Sequence, residues 1–121
     1  MSDVTLFLPW PPSGLSPNAR MHWRGRAKLA SLYRHQCAWT AIDSCRPLRA
    51  AAGNTRLSVS VTFYPPDRRR RDLDNCVASF KAGADGIADA CGIDDSLWIV
   101  TYTMGPRRLG GEVVVRLGVE S

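Results

Sequence analysis

Residues 57–75 read LSVSVTFYPPDRRRRDLDN, and the first eight of them decide the fold. Leu57, Val59, Val61 and Phe63 alternate with Ser58, Ser60, Thr62 and Tyr64. A period of two marks a strand with one face in a core and one toward water. Pro65 and Pro66 end it, because proline lacks the N–H that a ladder needs.

Upstream, residues 4–8 (VTLFL) form an apolar strand stopped by Pro9, Pro11 and Pro12. Residues 13–25 read as a loop. From about Ala27 to Ser44 the chain has no Gly or Pro, and Leu29, Leu32, Tyr33, Cys37 and Ala41 give one broad apolar face. RPLRAAAGN, residues 46–54, then breaks the pattern. Downstream, a second helix is expected from Asn75 to about Ala90, with Asp74 as its N-cap and Gly92 as its stop. Gly83 and Gly86 lower its intrinsic helicity. Two strands, about 97–104 and 112–119, flank GPRRLGG, which reads as a long hairpin loop with Arg107 and Arg108 at its tip. The expected class is therefore α+β: a single domain over residues 1–121, with a mixed β-sheet and two helices in the order β-α-β-α-β-β.

A chain of 121 residues buries enough surface to need no disulfide or zinc staple. At 45% hydrophobic and 22% charged it has a globular protein's composition rather than a disordered one's. Cys37, Cys45, Cys76 and Cys91 form no C-x-x-C pair and only two histidines accompany them, so the expectation is reduced, buried thiols in a cytoplasmic protein. No leader peptide and no membrane-spanning run is expected. The formal charge is +5, and only Lys28 and Lys81 are lysines. Arginine's planar fork suits phosphate, so this bias leans toward nucleic acid.

DRRRRDLDN crowds Arg68, Arg69, Arg70 and Arg71 against Asp72 and Asp74. In an extended segment, residues two apart share a side, which would converge the two carboxylates and turn Leu73 to the core. A second acidic pair, Asp94 and Asp95, follows the second helix. If the pairs meet, their oxygens suit Mg²⁺ or Mn²⁺. Such a metal would polarise a phosphate and lower the pKa of a bound water. The plainer reading makes Asp74 a cap, Asp72 an arginine partner and Asp94–Asp95 a solvated turn. The arginine run likewise reads either as a solvated loop or as a cradle for phosphate. A second basic stretch, RMHWRGRAK, carries Arg20, Arg24, Arg26 and Lys28 without an acid. Its arginines suit DNA; Trp23 suits either a base stack or the core beneath the loop. Neither His22 nor His35 has a partner visible in the sequence that would make it a general base.

LPWPPS (8–13), PDRRRRDLDN (66–75), KAGADGI (81–87) and DDS (94–96) together resemble the RusA family of Holliday-junction resolvases, common in prophages. The resemblance implies a dimeric, Mg²⁺-dependent endonuclease that cuts four-way DNA junctions at paired positions. It implies Asp72, Asp74 and Asp95 as metal-binding and catalytic residues, Lys81 as the catalytic lysine and Asp94 as a helper. One departure stands out. The best-known member has its lysine one helical turn after D-L-D-N, where this chain has Ala78. Reaching Lys81 adds three residues, which at ~100° each turn the helix face by about −60°. The plainer role for Lys81 is an i,i+4 pair with Asp85. Two other activities compete with junction resolution: binding branched DNA without cutting it, and metal-dependent cleavage of flaps or forks.

Overall fold

The computed structural model describes residues 3–50 and 56–119. Four strands form one mixed sheet: β1 (Val4–Pro9), β2 (Leu57–Tyr64), β3 (Trp98–Met104) and β4 (Glu112–Val119). Their spatial order is β1-β4-β2-β3. The alternation in β2 is realised as expected, since Leu57, Val59, Val61 and Phe63 are each at most 2% exposed. β4 answers in register, pairing Val59 with Leu117, Val61 with Val115 and Phe63 with Val113. Leu6 and Leu8 of β1 complete this apolar face opposite Val115 and Val113.

The hairpin expected between the last two strands does not form. β2 lies between them, parallel to β3 and antiparallel to β4. Residues 105–111 instead wrap the end of β2, where Gly105 N–H donates to Phe63 O (2.8 Å) and Arg108 N–H to Pro65 O (2.9 Å). Straddling one strand means crossing two interstrand spacings, ~10 Å, which a seven-residue loop reaches as readily as it closes a hairpin.

The first long helix, α1 (Trp23–Ala41), starts four residues before the expected Ala27 because His22 Nδ1 accepts a hydrogen bond from Arg24 N–H (3.2 Å) and caps it. Tyr33, Cys37 and Ala41 form its buried stripe with Leu29 packed against it, whereas Leu32, expected on the same face, points away and is 56% exposed. A short helix, α2 (Arg46–Ala50), occupies the start of the stretch expected to be irregular; residues 51–55 lie outside the described residues. The expected second helix is two: α3 (Leu73–Ser79) and α4 (Lys81–Cys91). They part at Phe80, whose ring is drawn into the core edge-on to both Phe63 (5.9 Å) and Tyr33 (6.3 Å). Gly92, at φ 71°, ends α4 as expected.

The glycines that weaken α4 as a helix have a packing reason. A Cβ on Gly86 would run into the carbonyl oxygen of Arg34 on α1. The missing side chain at Gly86 therefore lets the two helix backbones approach closely. All four cysteines are free and buried, and burial pushes the Cys37 and Cys45 thiols up to about 11. Among the described residues no helix is long and apolar enough to cross a membrane.

Candidate functional site

β1 and β2 flank β4 and run in the same direction, so the prolines after β1 and the arginine run after β2 leave the same edge of the sheet, where a cleft of about 580 Å³ opens. Trp10, Pro12, Arg69, Arg70, Asp72 and Asn75 contribute to its lining. Trp10 forms part of its floor, edge-on to Phe63 at 6.2 Å. Tyr33 O–H donates to Pro9 O (2.6 Å) and so ties the end of β1 to α1.

The arginine run is folded by an acid the sequence reading passed over. Asp67 Oδ1 accepts from Arg69 N–H (2.9 Å) and from Arg71 Nη1 (2.7 Å). These bonds, the Arg71 side chain first, hold the Asp67 carboxyl down at about 2. Arg71 also lies 5.6 Å from the Trp10 ring centre and keeps only 22% of its side chain exposed. Its guanidinium is thus committed inside the protein. Arg68, Arg69 and Arg70 are exposed.

Asp72 and Asp74 do not share the side of an extended segment. Leu73 already begins α3, so Asp72 is its extended cap residue and Asp74 falls in the first helical turn. Both are exposed. Asp72 borders the cleft, whereas Asp74 is not among its lining residues. The expected N-cap shifts accordingly from Asp74 to Asp72, without a side-chain capping bond.

Of the second acidic pair, Asp95 meets Lys81 rather than the first pair. Lys81 Nζ, on the opening residue of α4, donates to Asp95 Oδ2 (2.9 Å) and to Asp85 Oδ1 (3.2 Å). The two carboxylates, Asp95 before Asp85, raise the Lys81 pKa. Tyr102 of β3 stacks on Phe63 at 6.3 Å, and burial raises its phenol, with Lys81 and Asp95 near enough to pull in opposite directions. Asp94 instead accepts from Ser96 Oγ (2.6 Å), which holds its carboxyl below the usual range. The helical break at Phe80 also means that a rotation counted through a continuous helix does not locate Lys81.

Hard, solvent-accessible carboxylate oxygens on Asp72, Asp74 and Asp95 have the donor chemistry for Mg²⁺. Among the described residues, however, no three His, Cys, Asp or Glu side chains are arranged to hold a metal ion. Asp95 is engaged by Lys81 rather than gathered with the other two.

The N-terminal basic stretch divides in the same way. Arg26 donates to Gly14 O (3.2 Å), Leu15 O (3.0 Å) and Ser16 O (2.9 Å), pinning the loop after PWPPS to α1. Arg20, Arg24 and Lys28 are exposed. Trp23 is 67% exposed, stacked on His22 at 5.8 Å and 5.3 Å from the Arg24 guanidinium, so it is not a core residue. Arg108 lies 3.4 Å over the Tyr64 ring and is bonded to Glu112 at 2.6 Å, yet both it and Arg107 are exposed.

The expected i,i+4 pair of Lys81 with Asp85 forms. Asp67 was the overlooked member, with only its position two residues before Arg69, a common side-chain turn, as a signal.

No family model matches the chain. A protein of Xylella fastidiosa (strain Temecula1 / ATCC 700964), named only "Uncharacterized protein", is 40% identical over 121 residues, covering 93% of this chain and 74% of that one. The chain belongs to that protein's family. The kinship extends over nearly all of the domain, cleft and acidic turns included, and its name carries no activity.

Proposed function

We propose that this chain is a Mg²⁺-dependent, structure-selective DNA endonuclease that resolves four-way junctions by paired symmetric nicks, leaving 5′-phosphate and 3′-hydroxyl ends. The observation that carries the reading is the 2.9 Å Lys81–Asp95 contact. It returns the second acidic turn to the opening residue of α4, two residues after α3, the helix that bears Asp74 and is capped by Asp72. The cleft beside Asp72 supports it further, because its exposed Arg69 and Arg70 offer charge and donors to phosphate oxygens.

In this reading Asp72, Asp74 and Asp95 would hold Mg²⁺, with Mn²⁺ able to substitute, and the metal would supply phosphate polarisation and an acidified water. The protein's own groups do the rest. Arg68, Arg69 and Arg70 draw the backbone in, joined by Arg20, Arg24 and Lys28 along the first basic stretch. Arg71 and Arg26 shape the two loops that present those charges. Lys81 stabilises charge that builds on the phosphate. A homodimer would match the approximate two-fold symmetry of a junction, one site for each cut strand.

A binding-only protein is the second reading, favoured by the absence of an assembled carboxylate trio among the described residues. Synthetic junction, flap and linear duplex, incubated with Mg²⁺ at equal salt, separate the two. Paired junction nicks that fall by ~1,000-fold in Asp74→Asn, about 4 kcal/mol of barrier, with binding retained, support the nuclease. Tight junction binding with no nick by either protein supports the second reading; preferred cutting of flaps would replace the substrate.

A further inference from the structure

The cleft beside Asp72 has a floor whose chemistry differs from that of its rim. Exposed Arg69 and Arg70 at the rim suit phosphate oxygens. The floor is apolar instead, built with Trp10, Pro12 and the buried Cys76. Beside it stand two carboxamides, Asn18 and the half-buried Asn75 of α3. In the hydrogen bonds of the described residues both asparagines take part through main-chain atoms, which leaves the amides to a ligand.

The surrounding loops are held in shape by the two arginines that turn inward. Arg26 binds the carbonyls of Gly14, Leu15 and Ser16, and Arg71, bonded to Asp67, lies against Trp10. A cleft fixed in this way costs little ordering when it is filled. Its volume of about 580 Å³ lies within the ~300–1,000 Å³ of small-molecule sites and admits no duplex. An apolar floor edged by amide donors and acceptors fits a flat ring with a polar edge. Phosphate rim and ring-shaped floor together match the two ends of one nucleotide.

We propose that the cleft receives one unstacked nucleobase of the bound DNA strand, with Arg69 and Arg70 on the backbone phosphates beside it and Asn18 and Asn75 on its polar edge. Swinging a base out of a duplex is costly, and it costs least where pairing is already interrupted, as at a branch point. The inference rests on the DNA-binding part of the proposed function and not on cleavage. A base held there fixes which sequence lies beside Asp72.

Four-way junctions carrying a single 5-iodouracil, moved base by base through the branch point, test it. They are irradiated with the full chain in EDTA, where no strand is cut, and fluorescence anisotropy of the same junctions gives the affinity. One position is expected to crosslink to Trp10. Ser13→Phe fills the mouth of the cleft from an exposed residue. It should abolish that crosslink while affinity falls by less than ~3-fold, because the phosphate contacts remain. Asn75→Leu should lower the preference among the four bases at that position by ~10-fold, the worth of a bidentate amide contact. Junction affinity with crosslinks confined to other aromatics, such as the exposed Trp23, overturns the inference and leaves the DNA reading standing. So does a Trp10 crosslink that survives Ser13→Phe with unchanged circular dichroism. Should Ser13→Phe not fold, Asn75→Leu decides: an unchanged base preference overturns the inference. No affinity for junction, flap or duplex overturns the DNA reading itself, and this inference with it.

Discussion

Two regions of this molecule carry their glycines and charges to opposite ends. Where α1 crosses α4, Gly86 leaves no space for even a methyl group against the Arg34 carbonyl, and the surroundings are buried. Around the arginine run the side chains are long, charged and mostly in water, tied by one acid, Asp67, to Arg71 at 2.7 Å and more loosely to Arg69 at 4.0 Å. Packing holds the first region, and packing tolerates almost no change of volume. Ion pairs at a surface hold the second, and they leave most of its charge available to a ligand. The difference teaches which substitutions should reach stability and which should reach binding.

The contrast breaks first at Gly86. Gly86→Ala should destabilise the fold by about 3 kcal/mol, the range of overpacking against a rigid neighbour, although alanine favours helices. Urea denaturation measures it; a loss below ~1 kcal/mol would mean that the helices separate easily and the region is not locked. In the arginine loop, by contrast, Arg68→Ala with Arg70→Ala should leave the denaturation midpoint nearly unchanged. It should lower the slope of log affinity against log salt for duplex DNA by about 2, near one per lost phosphate contact. An unchanged slope would remove these residues from the interface.

A smaller effect is expected at Asp67. Its carboxyl lies at about 2, below the ordinary 3.8, so the bond to Arg71 is fully present above about pH 4. It is lost as pH falls through about 2. Tryptophan fluorescence, through Trp10 beneath Arg71, should report this acid transition in the native chain. Asp67→Asn should abolish that transition; if it persists, a different acid holds the loop. The smallest change belongs to Asp85→Asn. Its pair with the largely exposed Lys81 is an i,i+4 contact, worth at most ~0.5 kcal/mol to thermal unfolding. A larger loss would show that the Lys81 bridge fixes the turn at Asp95.

Much of the second region was legible as composition but not as assignment. DRRRRDLDN shows where charge is concentrated, yet four consecutive arginines look alike in a sequence. Their roles part only when Asp67 selects Arg71, which leaves Arg68 and Arg70 exposed. Arg26 is a similar case: three loop carbonyls claim a guanidinium that charge alone would send to DNA. The glycines of α4 read as weak helix positions for the same reason, because the Arg34 carbonyl that explains Gly86 lies on another helix.

By itself the sequence determined what is local. The alternation of β2, the apolar face of α1, the stop at Gly92 and the clustering of charge all follow from period, dihedral preference and composition within a few residues. Only the tertiary structure decided what depends on distant partners. It inserted β2 between β3 and β4, drew Phe80 inward and parted α3 from α4, and returned Asp95 to Lys81. A strand's alternation states which face is buried and not which neighbour it pairs with, and a charge states its sign and not which countercharge the fold brings within 3 Å.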